Sequence, residues 1–294
     1  MSKPQVQVAT QSQKKLESSV LFAALGKILY YVLLSILTLI IFVPLLVVVF
    51  AAFKSAPELA ATSPFSLPVS WSFKNFMVVF EKTNMLLGFL NSISITVTSV
   101  VINAILGAMT AFVLNRFNFR FKKTIFLLFI IASVVPTYTT EVARFQTIKS
   151  LGVYNTLFAP LIIYAGTDLM QIFIYLQFIE KISKQLDESA LLDGASYFRI
   201  FRSILFPLML PATATLAIIK AVDIMNDMYI PYLYMPSKKL STLSTALMTF
   251  VGERATYWNE LSAAIILVML PTILIYLILR KFIFAGLMDG AMKE

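Results

Sequence analysis

The sequence predicts an all-α integral membrane protein with six transmembrane helices, and three observations support this fold class. Hydrophobic residues make up 59% of the 294 residues and charged residues only 13%, whereas about 25% of the residues of a soluble domain are charged. The mean hydropathy is +0.84. Six apolar runs reach the roughly 20 residues that a helix needs to span a bilayer.

The six apolar runs are distributed along the whole chain. In order they are Ile28–Ala52, Leu86–Leu114, Thr124–Val142, Leu157–Ile179, Ile204–Ile224 and Leu261–Phe284. The first run begins too late and is too long for a cleaved signal peptide, so we expect it to remain as a transmembrane helix. Pro136 lies inside the third run and predicts a kink, because proline removes a helix hydrogen bond. The kink fits a helix that lines a moving pathway and a static bend equally well.

Lysine and arginine placement predicts the orientation in the membrane. With the N-terminus inside, fifteen of the 24 basic residues lie in cytoplasmic segments and eight in outer segments, with Lys220 inside the fifth run. This agrees with the positive-inside rule. We therefore expect a cytoplasmic N-terminal tail (1–27), a transmembrane domain (28–285) and a cytoplasmic C-terminal tail (286–294). The same placement explains the net charge of +9 without a nucleic-acid partner, since the basic residues flank membrane runs instead of forming one face.

A polar stretch, 185–211, separates the fourth and fifth runs. It contains Asp187, Glu188, Asp193, Arg199 and Arg202, and a charge at the centre of a membrane helix costs about 2.5–3.5 kcal/mol. The stretch therefore lies outside the lipid. Its Ala, Leu, Ile and Phe residues recur at helical spacing, which indicates helices packed against another protein.

We expect a first helix over Gln185–Leu192, a break at Gly194 and a second helix over Ser196–Phe206. Glycine tolerates backbone conformations that other residues resist. Pro207 and Pro211 then predict bends. An amphipathic helix lying on the membrane surface is the alternative for this stretch. Such a helix has Lys and Arg on its polar face, whereas this one opens with Asp187 and Glu188.

The polar stretch resembles the "EAA" loop of the membrane subunits of bacterial ABC importers. The matching residues are Glu188-Ser189-Ala190, Gly194 and Leu205-Phe206-Pro207, with Ser189 in place of the usual second Ala. Three further segments resemble the carbohydrate-importing branch of that family. They are Ala52-Phe53-Lys54, Trp71–Phe76 and the C-terminal Phe282–Lys293.

The resemblance implies an ABC importer type I permease fold in which residues 185–203 form a coupling loop. It implies that Glu188 pairs with a basic residue of an ATPase and that Gly194 sets the turn. Ser189, Ala190, Leu191 and Leu192 complete the expected ATPase contact, with Leu191 and Leu192 as its apolar part. It also implies a second homologous permease, two ATP-binding cassette subunits and an extracellular solute-binding protein in a bacterial cytoplasmic membrane. The transported solute would be a sugar or oligosaccharide.

Polar residues inside membrane helices are candidates for a substrate pathway. The candidates here are Glu141, Asp168, Gln171, Asn226, Asp227 and Tyr229. Asn226-Asp227 matches a family "W-N-D" segment in which Met225 replaces the Trp. The alternative is hydrogen bonding between helices, which we favour for Asn226 and Asp227. For Asp168 and Gln171 both interpretations stay open.

Two other functions fit parts of the sequence. A metal-dependent membrane enzyme could use Asp223 and Asp227, which share one helical face, although the acidic residues of 187–193 are predicted on the opposite side of the membrane. A secondary transporter usually has two related halves, and no such repeat is evident. The chain contains no His and no Gly-x-x-x-x-Gly-Lys motif, so we expect neither His-based catalysis nor ATP binding by a P-loop. No cofactor or metal is predicted, and the expected role is translocation, with hydrolysis by partner subunits.

Overall fold

The structure is a computed structural model that describes residues 4–251 and 256–291, with side chains described for 26–251 and 256–278. Lys3, Arg254 and Lys293, which enter the orientation argument, lie outside the described residues. The side chains of the C-terminal segment 282–293 lie outside them as well. The described part is helical and contains no strand, only an isolated bridge between Val251 and Thr256.

Fifteen α-helices make up most of the described chain. In order they are α1 (Pro4–Phe53), α2 (Ala56–Ala61), α3 (Lys74–Lys82), α4 (Met85–Arg116), α5 (Lys122–Val134), α6 (Glu141–Ser150), α7 (Phe158–Ala165), α8 (Leu169–Glu180), α9 (Lys184–Leu192), α10 (Tyr197–Ile200), α11 (Phe206–Leu208), α12 (Leu210–Asn226), α13 (Tyr229–Tyr234), α14 (Leu243–Ala246) and α15 (Trp258–Ala291). Short 3-10 helices cover Thr137–Thr140, Lys238–Leu240 and Leu247–Phe250, and a π-helix covers Phe201–Leu205.

Three single helices and three bent pairs give up to six membrane spans in the described chain. The single helices are Gly26–Phe53 within α1, α4, and Trp258–Ile278 within α15. The bent pairs are α5 with α6 (100°), α7 with α8 (48°), and α10–α11 with α12 (75°). The predicted all-α fold with six spans is confirmed. Helices α1 and α15 also extend into the segments predicted as tails, from Pro4 and to Ala291.

The third span is broken rather than kinked. Helix α5 ends at Val134, and Val135 and Pro136 are extended before a 3-10 turn begins. Proline disfavours a helical conformation at the residue before it, which explains why the chain leaves the helix at this point. Glu141, expected near the end of a continuous third span, instead begins α6 after a turn of 100°.

The fourth span, predicted from the apolar run 157–179, consists of two helices joined at a bend of 48°. The chain leaves α7 at Gly166 and starts α8 after Asp168, whose carboxylate Oδ1 accepts a hydrogen bond from the Gln171 backbone N–H at 2.8 Å. The Gly166 carbonyl accepts from the Asn103 side chain of α4 at 2.6 Å. An N-cap and a tertiary hydrogen bond therefore satisfy the backbone groups that the break exposes.

The fifth span bends where the prolines predict it. Pro207 and Pro211 occupy the first turns of α11 and α12, on either side of the junction at Met209. The predicted helix over 196–206 is present as 197–208, but its middle is the π-helix. Because proline has no N–H to donate, each proline removes one backbone hydrogen bond, and the chain turns by 75° here.

Buried side chains join the coupling loop to the spans. Tyr175 and Ile179 of α8 pack in one cluster with Ala108 of α4 and with Ile200 and Leu205, which follow the coupling turn. Ala190 and Ala195 are partly buried against the same cluster. The loop is therefore packed directly against α4 and α8.

The segment after α1 is held by a fully buried lysine. The Lys54 ammonium donates to the hydroxyls of Thr62 and Ser66 and to the Ser63 carbonyl, at 2.9–3.2 Å. Asn75 donates to the carbonyl of Lys54 at 2.8 Å. A buried ammonium is costly unless its protons are hydrogen-bonded, and these acceptors fix the segment against the end of α1.

Candidate functional site

The coupling loop is two capped helices around a sharp turn. The Ser183 hydroxyl caps α9, and the Ser196 hydroxyl accepts from the Arg199 backbone N–H at 3.3 Å to cap α10. Between them Gly194 has φ +81, a left-handed conformation that L-residues with a side chain disfavour. The Ala195 N–H reaches back to the Ala190 carbonyl at 2.9 Å. The predicted break at Gly194 is confirmed.

A buried ion pair ties the loop to α4. Arg116, the last residue of α4, places its Nε 2.5 Å from Asp187 Oδ2, with side chains only 6% and 12% exposed. The contact lacks the alignment of a hydrogen bond, so it acts chiefly through charge. Arg116 also donates to the Ile182 carbonyl at 2.8 Å. Asp187 therefore anchors the loop to α4.

Apolar side chains are exposed on both sides of the Gly194 turn. Leu192 is 90% exposed and Phe198 63%. Leu191 and Tyr197 are exposed as well, and Glu188 makes no hydrogen bond or ion pair with any described residue. We call these five residues, Glu188, Leu191, Leu192, Tyr197 and Phe198, the loop surface. Large apolar groups outside the lipid mark protein contact sites.

The second candidate region is an open cavity of about 930 Å³ between the bent spans, which we call the polar cavity. Its polar lining comes from the turn before α6, from α6, from the α7–α8 break, and from α12 to α13. The lining includes Thr137, Tyr138, Arg144, Thr147, Thr167, Asp168, Lys220, Asp223, Asn226, Asp227 and Tyr229. The coupling loop precedes the start of α12, and the cavity is lined by the last two turns of that helix, about 15–24 Å further along its axis.

Charges of both signs line the polar cavity. Asp168 Oδ2 lies 3.9 Å from Lys220 Nζ, and the two side chains are 56% and 25% exposed. A side pocket of about 80 Å³ shares Asp168, Lys220 and Asp223 and extends inward to Asn103 and Gln171. Lys220 could have been chosen as a cavity candidate from the sequence, because it is a charged residue inside a membrane helix. Its partner Asp168 lies 52 positions away, and no sequence pattern links the two residues.

Three of the sequence candidates, Asp168, Asn226 and Tyr229, line the polar cavity and form few contacts with other side chains. Asp168 contacts Lys220, as described. Asn226 donates to the Val222 carbonyl of its own helix at 2.9 Å. Tyr229 packs edge-on against Tyr138 with ring centroids 5.5 Å apart. Tyr138, Arg144 and Lys220 belong to the same lining and were missed by the sequence candidates.

The side chains of the other three candidates, Glu141, Gln171 and Asp227, form hydrogen bonds inside the protein. Glu141 is buried and accepts from the Tyr234 hydroxyl at 2.5 Å and from Arg144 at 3.2 Å. Burial and, after it, the hydrogen bond to Glu141 raise the pKa of the Tyr234 phenol above its usual range. Gln171 is buried and donates to Asn103 Oδ1 at 2.7 Å.

Asp227 uses both carboxylate oxygens within the protein. Oδ2 accepts from the Tyr164 hydroxyl at 2.8 Å and Oδ1 from the Ile230 N–H at 3.2 Å, which starts α13. Asp223 and Asp227 are therefore not equivalent carboxylates on one open face. Among the described residues, no group of three or more His, Cys, Asp or Glu side chains could hold a metal ion.

Comparisons with known proteins agree on one family. The family model described as "Binding-protein-dependent transport system inner membrane component" matches residues 103–288. The melibiose/raffinose/stachyose import permease protein MelC of Bacillus subtilis is 32% identical over 254 residues, which cover 86% of this chain and 91% of that protein. The diacetylchitobiose uptake system permease protein NgcG of Streptomyces coelicolor is 27% identical, over 92% of this chain and 89% of its own length.

A solved structure shares the fold. A chain of a bacterial ABC transporter involved in the import of the acidic polysaccharide alginate superposes with a TM-score of 0.77. The two chains are 22% identical, and the match covers 87% of this chain and 96% of the other. The predicted type I permease fold is confirmed, and so is the resemblance read from the coupling loop.

Proposed function

This chain belongs to the family of binding-protein-dependent transport system inner membrane components, and we propose that it imports a carbohydrate as one permease of an ATP-driven complex. Relatives that are 27–32% identical are named for the uptake of melibiose, raffinose, stachyose and diacetylchitobiose. The substrate class rests on these relatives and on the chemistry of the polar cavity.

The observation that carries the coupling role is the exposed loop surface. Leu192 and Phe198 present apolar side chains to solvent, while Asp187 and Ala190 fix the other side of the loop. Fully burying a leucine is worth about 1.5–3 kcal/mol, so a partner groove would gain by covering Leu192. We assign that groove to an ATP-binding cassette subunit, with Glu188 paired to one of its basic residues.

The buried contacts support one path for the movement. When two ATP-binding cassette subunits close, the loop surface moves with them, and the Arg116–Asp187 pair carries that movement to α4. The bent spans then change from inward-facing to outward-facing. Moving such an equilibrium from 1:99 to 99:1 requires about 5.5 kcal/mol of differential binding.

The polar cavity is the proposed substrate surface of this chain. Sugars are bound by planar polar groups that bridge hydroxyls and by aromatic faces that stack on the ring. Asp168, Asn226 and Tyr229 supply those groups, with Tyr138 and Lys220 beside them. We assign Glu141, Gln171 and Asp227 a supporting role, because their side chains are held by Tyr234, Asn103 and Tyr164.

The remaining assembly is proposed by family and by charge placement. A second homologous permease would complete the pathway, and an extracellular solute-binding protein would deliver the sugar. The complex would lie in a bacterial cytoplasmic membrane, surrounded by lipid, with both termini and the coupling loop in the cytoplasm. In this arrangement the cavity faces the outer side.

Purification from the native membrane in mild detergent tests the proposal. We expect a P-loop ATPase and a second permease to accompany the chain, and Glu188→Lys to abolish sugar uptake coupled to ATP hydrolysis. Glu81→Lys makes the same charge change at an exposed site away from the loop and should leave uptake intact. A chain that purifies alone and transports sugar with an ion gradient, or a Glu188→Lys variant with normal uptake, would refute the proposal.

A further inference from the structure

A second cavity, of about 590 Å³, lies where α4 ends and where α5 and α9 begin. Its rim includes Lys122, Lys123 and Lys184. Its wall includes Leu114, Phe126 and Leu176. None of the three ammonium groups forms a hydrogen bond or ion pair with a described residue. The cavity is separate from the loop surface and from the polar cavity.

The position of the lysines is electrostatically unfavourable in the chain alone. Lys122 and Lys123 are the first two residues of α5, and Lys184 is the first residue of α9. The N-terminal end of a helix carries partial positive charge and favours anions over cations. Arg116 is already neutralised by Asp187, and Glu180 is the one acidic residue in the lining. The rim of the cavity therefore keeps a net positive charge, which a bound anion would neutralise.

The apolar wall indicates which anion fits. The wall continues along α5 from Phe126 to Ile130, one turn further on the same side of the helix. Ile130 is 38% exposed, and no residue of α5 is buried. An inorganic anion would gain nothing from that surface, whereas acyl chains would cover it. We propose that this cavity binds the headgroup of an anionic phospholipid, with the phosphate at the three lysines and the acyl chains along α5.

The site would place a lipid at the hinge of the coupling machinery. Lys184 begins the helix that carries Asp187, and Asn115 and Arg116 of the same cavity end α4. A bound phosphate would draw the starts of α5 and α9 together and hold the loop against α4. The composition of the membrane would then influence how the loop transmits movement. Lipid binding here requires only that this end of the spans lies at a membrane surface.

Native mass spectrometry of the delipidated full chain, with any subunits that accompany it, tests the site. The probes are dioleoyl phosphatidylglycerol, dioleoyl phosphatidylcholine and inorganic phosphate. We expect saturable binding of phosphatidylglycerol in preference to phosphatidylcholine, without competition from inorganic phosphate. Each lysine near an anionic surface contributes about fivefold in affinity, so K122Q/K123Q/K184Q should bind on the order of 100-fold more weakly.

Two variants separate the site from general charge and from misfolding. K122R/K123R/K184R keeps the charges and should retain binding. K74Q/K149Q/K238Q removes three exposed lysines elsewhere and should bind like the wild-type chain. The proposal would be overturned if both glutamine variants lost phosphatidylglycerol affinity equally. It would also be overturned if phosphatidylcholine bound as tightly as phosphatidylglycerol, or if inorganic phosphate competed fully with the lipid.

Discussion

The coupling loop and the polar cavity are built in opposite ways. The loop is one contiguous segment, with both helices, both serine caps and the Gly194 turn within 183–200. The cavity draws its lining from four places along the chain, from Thr137 to Ile230, and each is next to a broken or ending helix. The loop presents apolar groups around one turn of the chain, whereas the cavity presents polar groups between the bent spans.

This difference shows what each region requires of the fold. The loop, as the proposed contact surface for a partner, is held in place by local caps and one buried ion pair. A solute pathway needs polar groups at membrane depth, where irregular backbone is tolerated only if it lines a cavity or is buried in protein. The breaks at Pro136 and at Gly166–Asp168 provide such backbone at the cavity.

The buried ion pair should produce the largest effect on stability. Asp187→Asn removes one charge and leaves the Arg116 guanidinium uncompensated, and breaking a buried pair in this way costs about 3–5 kcal/mol. The free energy of unfolding can be measured by denaturant titration in mild detergent. Asp193→Asn is the matched control, since Asp193 is exposed and its side chain has no partner among the described residues. If both variants lose equal stability, the pair does not anchor the loop.

Two glycine turns offer a matched comparison between the regions. Gly194 in the loop has φ +81 and Gly152 after α6 has φ +72, and a Cβ at either would meet no atom within 4 Å. Gly194→Ala and Gly152→Ala should therefore each cost about 1–2 kcal/mol from backbone strain alone. Only Gly194→Ala should lower ATP-dependent uptake beyond its loss of stability. Equal uptake in the two variants would mean that the loop turn has no special role.

The sequence predicted the loop because its signals are local. Charges in an apolar chain, helical spacing and Gly194 all lie within about 20 residues, so the turn and the bend at Pro207 and Pro211 follow from composition. The break at Gly166–Asp168 lies inside an apolar run, and the hydrogen bond from Asn103 that supports it comes from another helix. The pairs Arg116–Asp187 and Asp168–Lys220 join distant residues, which no single-sequence pattern reveals.

An aromatic pair tests whether the polar cavity binds sugar. Tyr229 and Tyr138 pack edge to face, an arrangement worth about 0.5–1.5 kcal/mol. Tyr229→Ala should cost stability in that range and should raise the KM for oligosaccharide uptake. Tyr232→Ala removes an exposed tyrosine of the same helix that lies outside the cavity, and its KM should equal that of the wild-type chain. A normal KM for Tyr229→Ala would move the substrate surface to the partner permease.

Leu192→Ser should have the smallest effect on stability and still reduce transport. Leu192 is 90% exposed, and surface substitutions usually change stability by no more than about 0.5 kcal/mol. If an ATPase groove covers this side chain, losing it removes up to about 1.5–3 kcal/mol of binding, or roughly 10- to 100-fold in ATPase affinity. Leu67→Ser, at a 65% exposed leucine of the segment after α2, should leave that affinity unchanged. The affinity between this chain and the ATPase, measured in detergent, separates the two variants. If the loop surface only faces solvent, both variants will bind the ATPase equally well. If the loop surface is a docking surface, Leu192→Ser will weaken binding far more than Leu67→Ser, although Leu192 is almost fully exposed in the free chain.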